Sequence, residues 1–517
     1  MGYILTGADI EDDKYTLQGF VGKETKVVTK KELIALSEEC EVFGFDGAEV
    51  LTTYASVKEF LETLNLQLQL TGHPLDECLT IDDETGEVKL KNLTTSAVES
   101  LMKNDSILTV PSYVTHFDMT FPEELRCYKI SQVDFPEGVK VITREGKVSP
   151  VIHAKVLRLP TTLTIMGKHA FSCVSRRSAD TEFNSFDSVV MHCPKLRKIS
   201  DNAFAECVIG SLDLNAPIKT IGSKAFRDAT LPEVLQLPVQ LQVIHDYAFS
   251  GCNTLRQVTF GENLNKVGAF AFEKTGLTFV TLPKGVSFSE NCFACCDSLE
   301  SVVLAEGVTA LPLHMFMGCS ALTSVVRSEQ LAGVPAKCFS DCSSLQEFAF
   351  GKIWKIGEDA FRHTGLKKAD VTFKKHADVL PPQIAKHAFS ECFALTHVSF
   401  NGPLEKLPSN LFSDCCSLFS VDLTETLITK VTDKTLLGCP KLREIRLPFA
   451  GFHSESLLSL LLGLGHDIDT LWLPEILENP AILKHIPCST FIAYRGTYMA
   501  EWCEKHKVRC KLVDRGR

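Results

Sequence analysis

A short phrase, a small residue followed by Phe-x-x-Cys, returns along this 517-residue chain at a nearly fixed interval, and that interval restricts the possible folds more than any other feature. It reads Ala203-Phe204-Ala-Glu-Cys207, Ala248-Phe249-Ser-Gly-Cys252, Cys292-Phe293-Ala-Cys-Cys296, Met315-Phe316-Met-Gly-Cys319, Cys338-Phe339-Ser-Asp-Cys342, Ala388-Phe389-Ser-Glu-Cys392 and Leu411-Phe412-Ser-Asp-Cys415. Forms without the cysteine occur at Phe171, Phe226, Phe272 and Phe361, and Leu436 takes the aromatic position ahead of Cys439. From Phe204 to Phe361 the steps are 22, 23, 23, 21, 23, 23 and 22 residues. A unit this short buries its apolar face only by stacking on its neighbours, so the period predicts a solenoid.

Between the Phe phrases lie short alternating stretches that end at Pro, Gly or a small polar residue, such as Val234-Leu-Gln-Leu237-Pro238, Val280-Thr-Leu282-Pro283, Val398-Ser-Phe400 and Ile445-Arg-Leu447-Pro448. Period-2 alternation stopped by a turn former reads as a strand. A leucine three residues upstream (Leu255, Leu299, Leu322, Leu345, Leu395, Leu418, Leu442) completes a comb, L-x-x-V-x-F. Each turn then passes through a second apolar pair, such as Ile353-Trp-Lys-Ile356, and reaches the Phe phrase, which is expected to close the turn with a helical segment. Strand ends at Val110-Pro111, Phe135-Pro136, Leu159-Pro160 and Leu473-Pro474 extend the array, giving a solenoid over 105–490.

Two steps are long: 33 residues from Phe171 to Phe204 and 28 from Phe361 to Phe389, which places insertions near 173–188 and 374–382. Residues 1–104 lack the repeat. Capping-box spacings at Thr29–Glu32 and Ser56–Glu59 predict helices, flanked by strands at Tyr15–Val21 and Glu87–Leu93, hence a small α/β N-terminal module. Residues 491–517 read as a cap: a last strand, a turn at Gly496 and a terminal helix. The fold class is therefore a β-rich α/β solenoid, a right-handed superhelix around a stacked parallel sheet.

Twenty cysteines would suggest a disulfide scaffold in a small secreted protein. Here eight of them occupy one repeat position, where stacked turns about 4.8 Å apart would hold them as parallel side chains unsuited to disulfide geometry. Free buried thiols and a reducing compartment follow. The N-terminus has no basic segment followed by an apolar one, so no secretion signal is expected. The apolar run Leu457–Leu464 falls short of the roughly 18 residues a membrane span needs and reads as a buried helix. A net charge of −11 argues against nucleic acid or an anionic membrane as the main partner.

The unit Leu241-Gln-Val-Ile-His-Asp-Tyr-Ala-Phe249-Ser-Gly-Cys252-Asn-Thr-Leu255-Arg-Gln-Val258-Thr-Phe260 resembles the BspA-like, or Treponema-type, leucine-rich repeat. The likeness extends over about three quarters of the chain. It implies a curved leucine-rich-repeat solenoid and the family's usual work, adhesion and the binding of proteins, although the missing signal departs from secreted members.

No constellation for catalysis stands out. Cys292-Phe-Ala-Cys295 has C-x-x-C spacing without a second pair or matched histidines, so no metal or cofactor is expected. There is no H-E-x-x-H, G-x-S-x-G or phosphate loop. Candidate binding residues are the comb positions read as facing outward: Arg256 and Thr259, Glu300 and Val303, Thr323 and Val326, Gln346, Lys367, Thr396, Phe419, Arg443 and Arg446. Phe204, Phe249, Phe293, Phe316, Phe339, Phe361, Phe389 and Phe412, with Cys252, Cys296, Cys319 and Cys342, are assigned to the repeat core. The expected function is a non-enzymatic scaffold that binds a protein through the sheet face or the N-terminal module, in the cytoplasm. The alternative is a surface adhesin or carbohydrate-binding protein exported without a recognisable signal. The oligomeric state is left open.

Overall fold

A computed structural model describes residues 75–515, apart from 82–86, 104–105, 112–113, 126–127, 147, 149, 173–182, 376–379 and 462–463, together with four N-terminal strands. Those strands are Tyr3–Asp9, Lys14–Gly19 and Thr25–Val28, paired antiparallel in sequence order, and Val42–Phe43, parallel to the first. The two expected N-terminal helices lie outside the described residues, as do 173–182 and 376–379 of the two insertions.

The chain packs as two units, residues 1–255 with 261–264 and residues 256–260 with 265–517. Each is a parallel-sheet solenoid built from two ladders and a column of Phe turns. In the first unit the comb ladder runs Lys129–Ile130, Val151–Arg158, Ser185–Val190 and Val208–Asp213, all parallel. The second ladder reaches back to Val88–Leu90, which pairs parallel with His116–Asp118, then Val141–Thr143 and Ile165–Met166. Leu79–Ile81 folds antiparallel onto the outer edge of Val88–Leu90 and covers it.

In the second unit the longest sheet has eight strands: Lys352–Ile353, Lys368–Phe373, His397–Asn401, Ser420–Asp422, Glu444–Arg446, Ile468–Trp472, Cys488–Tyr494 and Cys510–Val513. Its last members form a strand-helix-strand unit. After Cys488–Tyr494 the chain turns at Gly496 (φ +76°), enters the helix Tyr498–Lys505 capped by the Thr497 hydroxyl, and returns as Cys510–Val513. The expected strand, turn and helix are there, and a further parallel strand follows them. The apolar run at 457–464 contributes to a second helix, Ser454–Leu461. It ends the second ladder: the Ser456 hydroxyl accepts from Val431 N (3.2 Å) and donates to Thr429 O (2.8 Å), standing in for a missing strand.

Within the second unit the second ladder is interrupted, and prolines mark the interruptions. In paired turns the residue after the apolar slot donates to the preceding turn: Ser289 N to Val267 O at 2.9 Å, Gly357 N to Val334 O at 2.8 Å and Ala385 N to Ile356 O at 3.0 Å. Pro312, Pro335 and Pro408 hold this position in their turns and have no N–H to give. The pairing stops at those three turns, leaving the separate groups Lys266–Val267 with Ser287–Phe288, Gly333–Val334 with Lys355–Ile356 and Gln383–Ile384, and Lys406–Leu407 with Lys430–Val431.

The Phe turn is not helical. The residues two before and two after the Phe have left-handed backbone, for example Asn291 (φ 57°) and Cys295 (φ 55°) about Phe293, and Lys337 (φ 54°) and Asp341 (φ 64°) about Phe339. A right-handed helix admits neither, so the expected helical closure is replaced by a tight turn whose amides bond forward. Phe316 N donates to Cys338 O at 2.9 Å and Gly318 N to Ser340 O at 2.8 Å. The rings stack with planes within 17° of parallel: Phe171, Phe204, Phe226 and Phe249 in the first unit, and Phe272, Phe293, Phe316, Phe339, Phe361, Phe389 and Phe412 in the second. Centroid separations of 5.2 to 5.8 Å exceed the strand spacing, so the rings are slipped rather than eclipsed.

All eight column cysteines donate S–H to the carbonyl of the Phe one turn back, at 3.0 to 3.2 Å. In two turns a threonine fills the slot: the Thr275 and Thr364 hydroxyls donate to the carbonyls of Phe272 and Phe361 in their own turns. The slot thus takes a small side chain, with a donor in these turns and without one at Ala229 in the Phe226 turn. The assigned core residues, the eight Phe and Cys252, Cys296, Cys319 and Cys342, are fully buried. Seventeen of the 20 cysteines are described, and these are thiols rather than disulfides.

Cys319→Val strands the Phe293 carbonyl and is expected to cost about 1 to 3 kcal/mol in urea denaturation, whereas Cys342→Val leaves the Phe316 carbonyl its bond from Cys319 N (3.2 Å) and is expected to cost less. Equal effects would remove the S–H bond from the account. Burial pushes the Cys439 thiol up to about 12 from an ordinary 9, and the Cys252 and Cys342 thiols well above the usual range. The folded chain therefore keeps protons that the unfolded chain releases, so stability is full below about pH 9 and falls as pH rises toward 12. At about pH 8, iodoacetamide should label exposed Cys416 quickly and the column thiols only after denaturation, which mass spectrometry would report.

Candidate interaction surface

The comb strands begin two residues after the leucine, so the outward positions flank the central apolar residue. Lys368 and Asp370 face out on either side of buried Ala369, and Val303 and Val326 lie side by side on adjacent strands. The expected residues immediately after the leucine, Arg256, Glu300, Thr323, Lys367, Thr396, Phe419 and Arg443, sit ahead of the strands. The strand positions belong to Gln257, Ser301, Ser324, Lys368, His397, Ser420 and Glu444. Gln346 is exposed on a segment without strand pairing.

Several of these residues brace the array. Arg256 Nη1 donates to Gly276 O (3.1 Å) and Ser298 Oγ (3.2 Å), the Thr323 hydroxyl donates to Glu300 O (3.1 Å) and that of Thr396 to Lys367 O (2.9 Å). Thr259 is exposed, and Phe419 is 46% exposed with its ring 6.2 Å from that of His397. Arg443 is tied to its own turn through Leu442 O at 3.1 Å.

Arg446 is different, because the register brings Asp422, Arg446 and Trp472 into one row across three strands. The Arg446 guanidinium carbon lies 4.3 Å from the centroid of the Trp472 ring, and Nε is 2.9 Å from Glu444 Oε1. That same oxygen accepts from Trp472 Nε1 at 2.8 Å, so one carboxylate fixes both members of the cation–π pair. Trp472 leads to Tyr494 (5.8 Å) and Tyr494 to Phe449 (5.4 Å, edge-on). Arg515 closes the row, its guanidinium carbon 3.7 Å from the Phe449 centroid and Nη2 3.4 Å from Glu425. Burial raises the Tyr494 hydroxyl above its ordinary value, with Asp422 acting the same way and Arg446 opposing it.

The result is a half-buried aromatic row with a stacked arginine at either end and carboxylates around it. Aromatic and arginine side chains held on a rigid sheet are the chemistry of protein recognition. The comb pattern points to Arg446 but not to Glu444, Phe449, Trp472, Tyr494 or Arg515. A comb signal does exist for Trp472, since Ile468-x-x-Leu471-x-Leu473 places it in the Arg446 slot.

Cys292 is buried and Cys295 half-buried, and among the described residues no group of His, Cys, Asp or Glu could hold a metal ion. No described helix is long and apolar enough to cross a membrane.

Residues 181–293, 276–381 and 380–454 match the model of the BspA type leucine rich repeat region, in six copies, which together takes in more than half of the chain. No curated protein matches. Among solved structures the chain is similar to a leucine-rich repeat protein from Bacteroides ovatus, at 17% identity over 84% of this chain and 98% of that one, with a TM-score of 0.41. It is also similar to the pneumococcal vaccine antigen PcpA (15% identity, 72% and 80% covered, TM-score 0.39). A leucine rich cell surface protein from Faecalibacterium prausnitzii is a third (16%, 66% and 92%, 0.29).

With the three tryptophans labelled with nitrogen-15, Glu444→Ala should shift the indole N–H resonance of Trp472 and leave those of Trp354 and Trp502 in place. An unmoved Trp472 signal would mean that Glu444 does not hold the ring.

Proposed function

Since this chain belongs to the BspA-type leucine-rich repeat family, we propose that it is a non-enzymatic scaffold that binds a protein partner on the outward face of its comb ladder, around Arg446, Trp472, Tyr494 and Phe449. The observation that carries this reading is the Arg446–Trp472 pair, held by one shared carboxylate on a parallel sheet. Truncating such an anchor typically costs over about 1 kcal/mol of binding, whereas the surrounding polar contacts contribute little.

Two aromatic residues on adjacent strands would also suit a sugar, the alternative of a carbohydrate-binding adhesin. The charged rim of Asp422, Glu444 and Glu425 around an apolar row favours protein. Outward Thr259, Val303 and Val326 on earlier strands supply further contact area in the same reading. Seventeen cysteines present as thiols support a reducing compartment such as the cytoplasm. Residues 1–104 are proposed as a terminal module, 105–490 as the binding array and 491–517 as its closing segment.

The test is capture under reducing conditions by the full chain and by Trp472→Ser/Arg446→Ser. Loss of the same bands in the double variant, with thermal stability retained, is the expected result. Unchanged capture would move the binding face elsewhere, and bands displaced by simple sugars would favour the adhesin.

A further inference from the structure

In the second unit the second ladder comes apart between Ser287–Phe288 and residues 309–311 of the next turn, and a cavity of about 560 Å³ opens there. Leu282, Phe288, Val308, Leu311 and Met315 form its apolar lining. Two features of the sequence account for the opening. Pro312 stands where the paired turns, as at Ser289 and Gly357, carry the N–H that here would bond the Phe288 carbonyl. Phe288 is itself an aromatic ring in a column of aliphatic residues, Val267, Leu311, Val334, Ile356, Ile384, Leu407 and Val431, and the added volume resists close approach of the next turn. Its ring leans instead on Phe260 (5.8 Å) and Phe293 (6.0 Å).

Separation leaves peptide groups unpaired on both walls. The amides of Thr309, Ala310 and Leu311 and the carbonyls of Val286 and Phe288 have no hydrogen-bond partner among the described residues. An apolar small molecule could fill the lining but would match none of these groups. An extended polypeptide carries donors, acceptors and apolar side chains at once.

We propose that this opening binds an extended segment of a partner polypeptide, with an apolar side chain between Phe288, Leu311 and Met315 and the main chain on the unpaired amides and carbonyls. The cavity volume lies within the range of formed ligand sites. The proposal rests on the scaffold reading only in expecting a polypeptide partner, and it places a second contact apart from the Trp472 row.

The probe is N-acetyl-Ala-Leu-Ala-N-methylamide, compared with its analogue N-methylated at the leucine amide. Titration to about 10 mM should shift the amide resonances of Thr309, Ala310 and Leu311 to saturation, and the analogue should bind about tenfold more weakly, the equivalent of one lost hydrogen bond. Pro312→Ala supplies the missing N–H and is expected to close the opening, with binding about tenfold weaker and a thermal midpoint equal or higher. Leu311→Arg should block the pocket outright. Equal affinity of the two probes, undiminished binding to Pro312→Ala, or no saturable shift at those amides would each overturn the site. That result, alongside partner capture still lost in the Trp472 variant, would leave the scaffold reading standing. Binding here alongside capture indifferent to Trp472 would do the reverse.

Discussion

Eight turns of this chain are each tied to the turn before at the back by a donor that is neither strand nor helix, the thiol that reaches the Phe carbonyl one turn away. A turn of about 23 residues has two sides that can be zipped by strands, and at the third some buried carbonyls, such as those of Phe293 and Phe389, have no other partner among the described residues. The cysteine satisfies them and adds no bulk. Backbone of unfavourable hand flanks the Phe at roughly 1 kcal/mol or more per residue, and it persists because the same turn aligns successive amides for bonds to the next turn and stacks the rings within each unit. Strain in one turn is thus held in place by its neighbours.

The features that repeat are legible in the residues alone, because packing forces a like residue into a like slot: the Phe stack, the cysteine column and the comb of strands all follow from spacing. The features that do not repeat are harder to read. The comb pattern puts the first residue of each outward pair one position early, since a connecting residue intervenes between the comb leucine and the strand, as at Lys367 and Lys368, and places the second, such as Thr259 or Arg446, on the strand. The Phe turn resembles a helical segment in sequence because spacing cannot reveal the sign of φ at Asn291 or Lys337. The row from Arg446 to Arg515 unites residues about 70 positions apart through strand register, which no local pattern encodes. Pro312, Pro335 and Pro408 are the opposite case. They stand plainly in the sequence, but they acquire meaning only when the donor position they occupy is known.

Function and scaffold are therefore drawn from different residues of the same turn. Positions facing inward repeat their apolar or weakly polar character: Phe, Leu, Val, Ile, Ala, Cys, occasionally Thr. Positions facing outward range from Val326 to Asp422 to Trp472, and their chemistry changes from strand to strand. A parallel sheet of this kind can change what it recognises by single substitutions on one face, with little consequence for the stack beneath.

The hydroxyl of Ser456 limits how such a chain can change in length. By bonding both Val431 N and Thr429 O it completes the second ladder with a helix that cannot itself be extended by another strand. The comb ladder, free of that stop, continues through three more strands to Cys510–Val513. A duplicated turn inserted beyond Ser454 would find a neighbour on one side and none on the other, whereas one inserted between the Phe412 and Leu436 turns would find both. A turn added in the interior of the array would therefore leave the aromatic row near the C-terminal end as it stands.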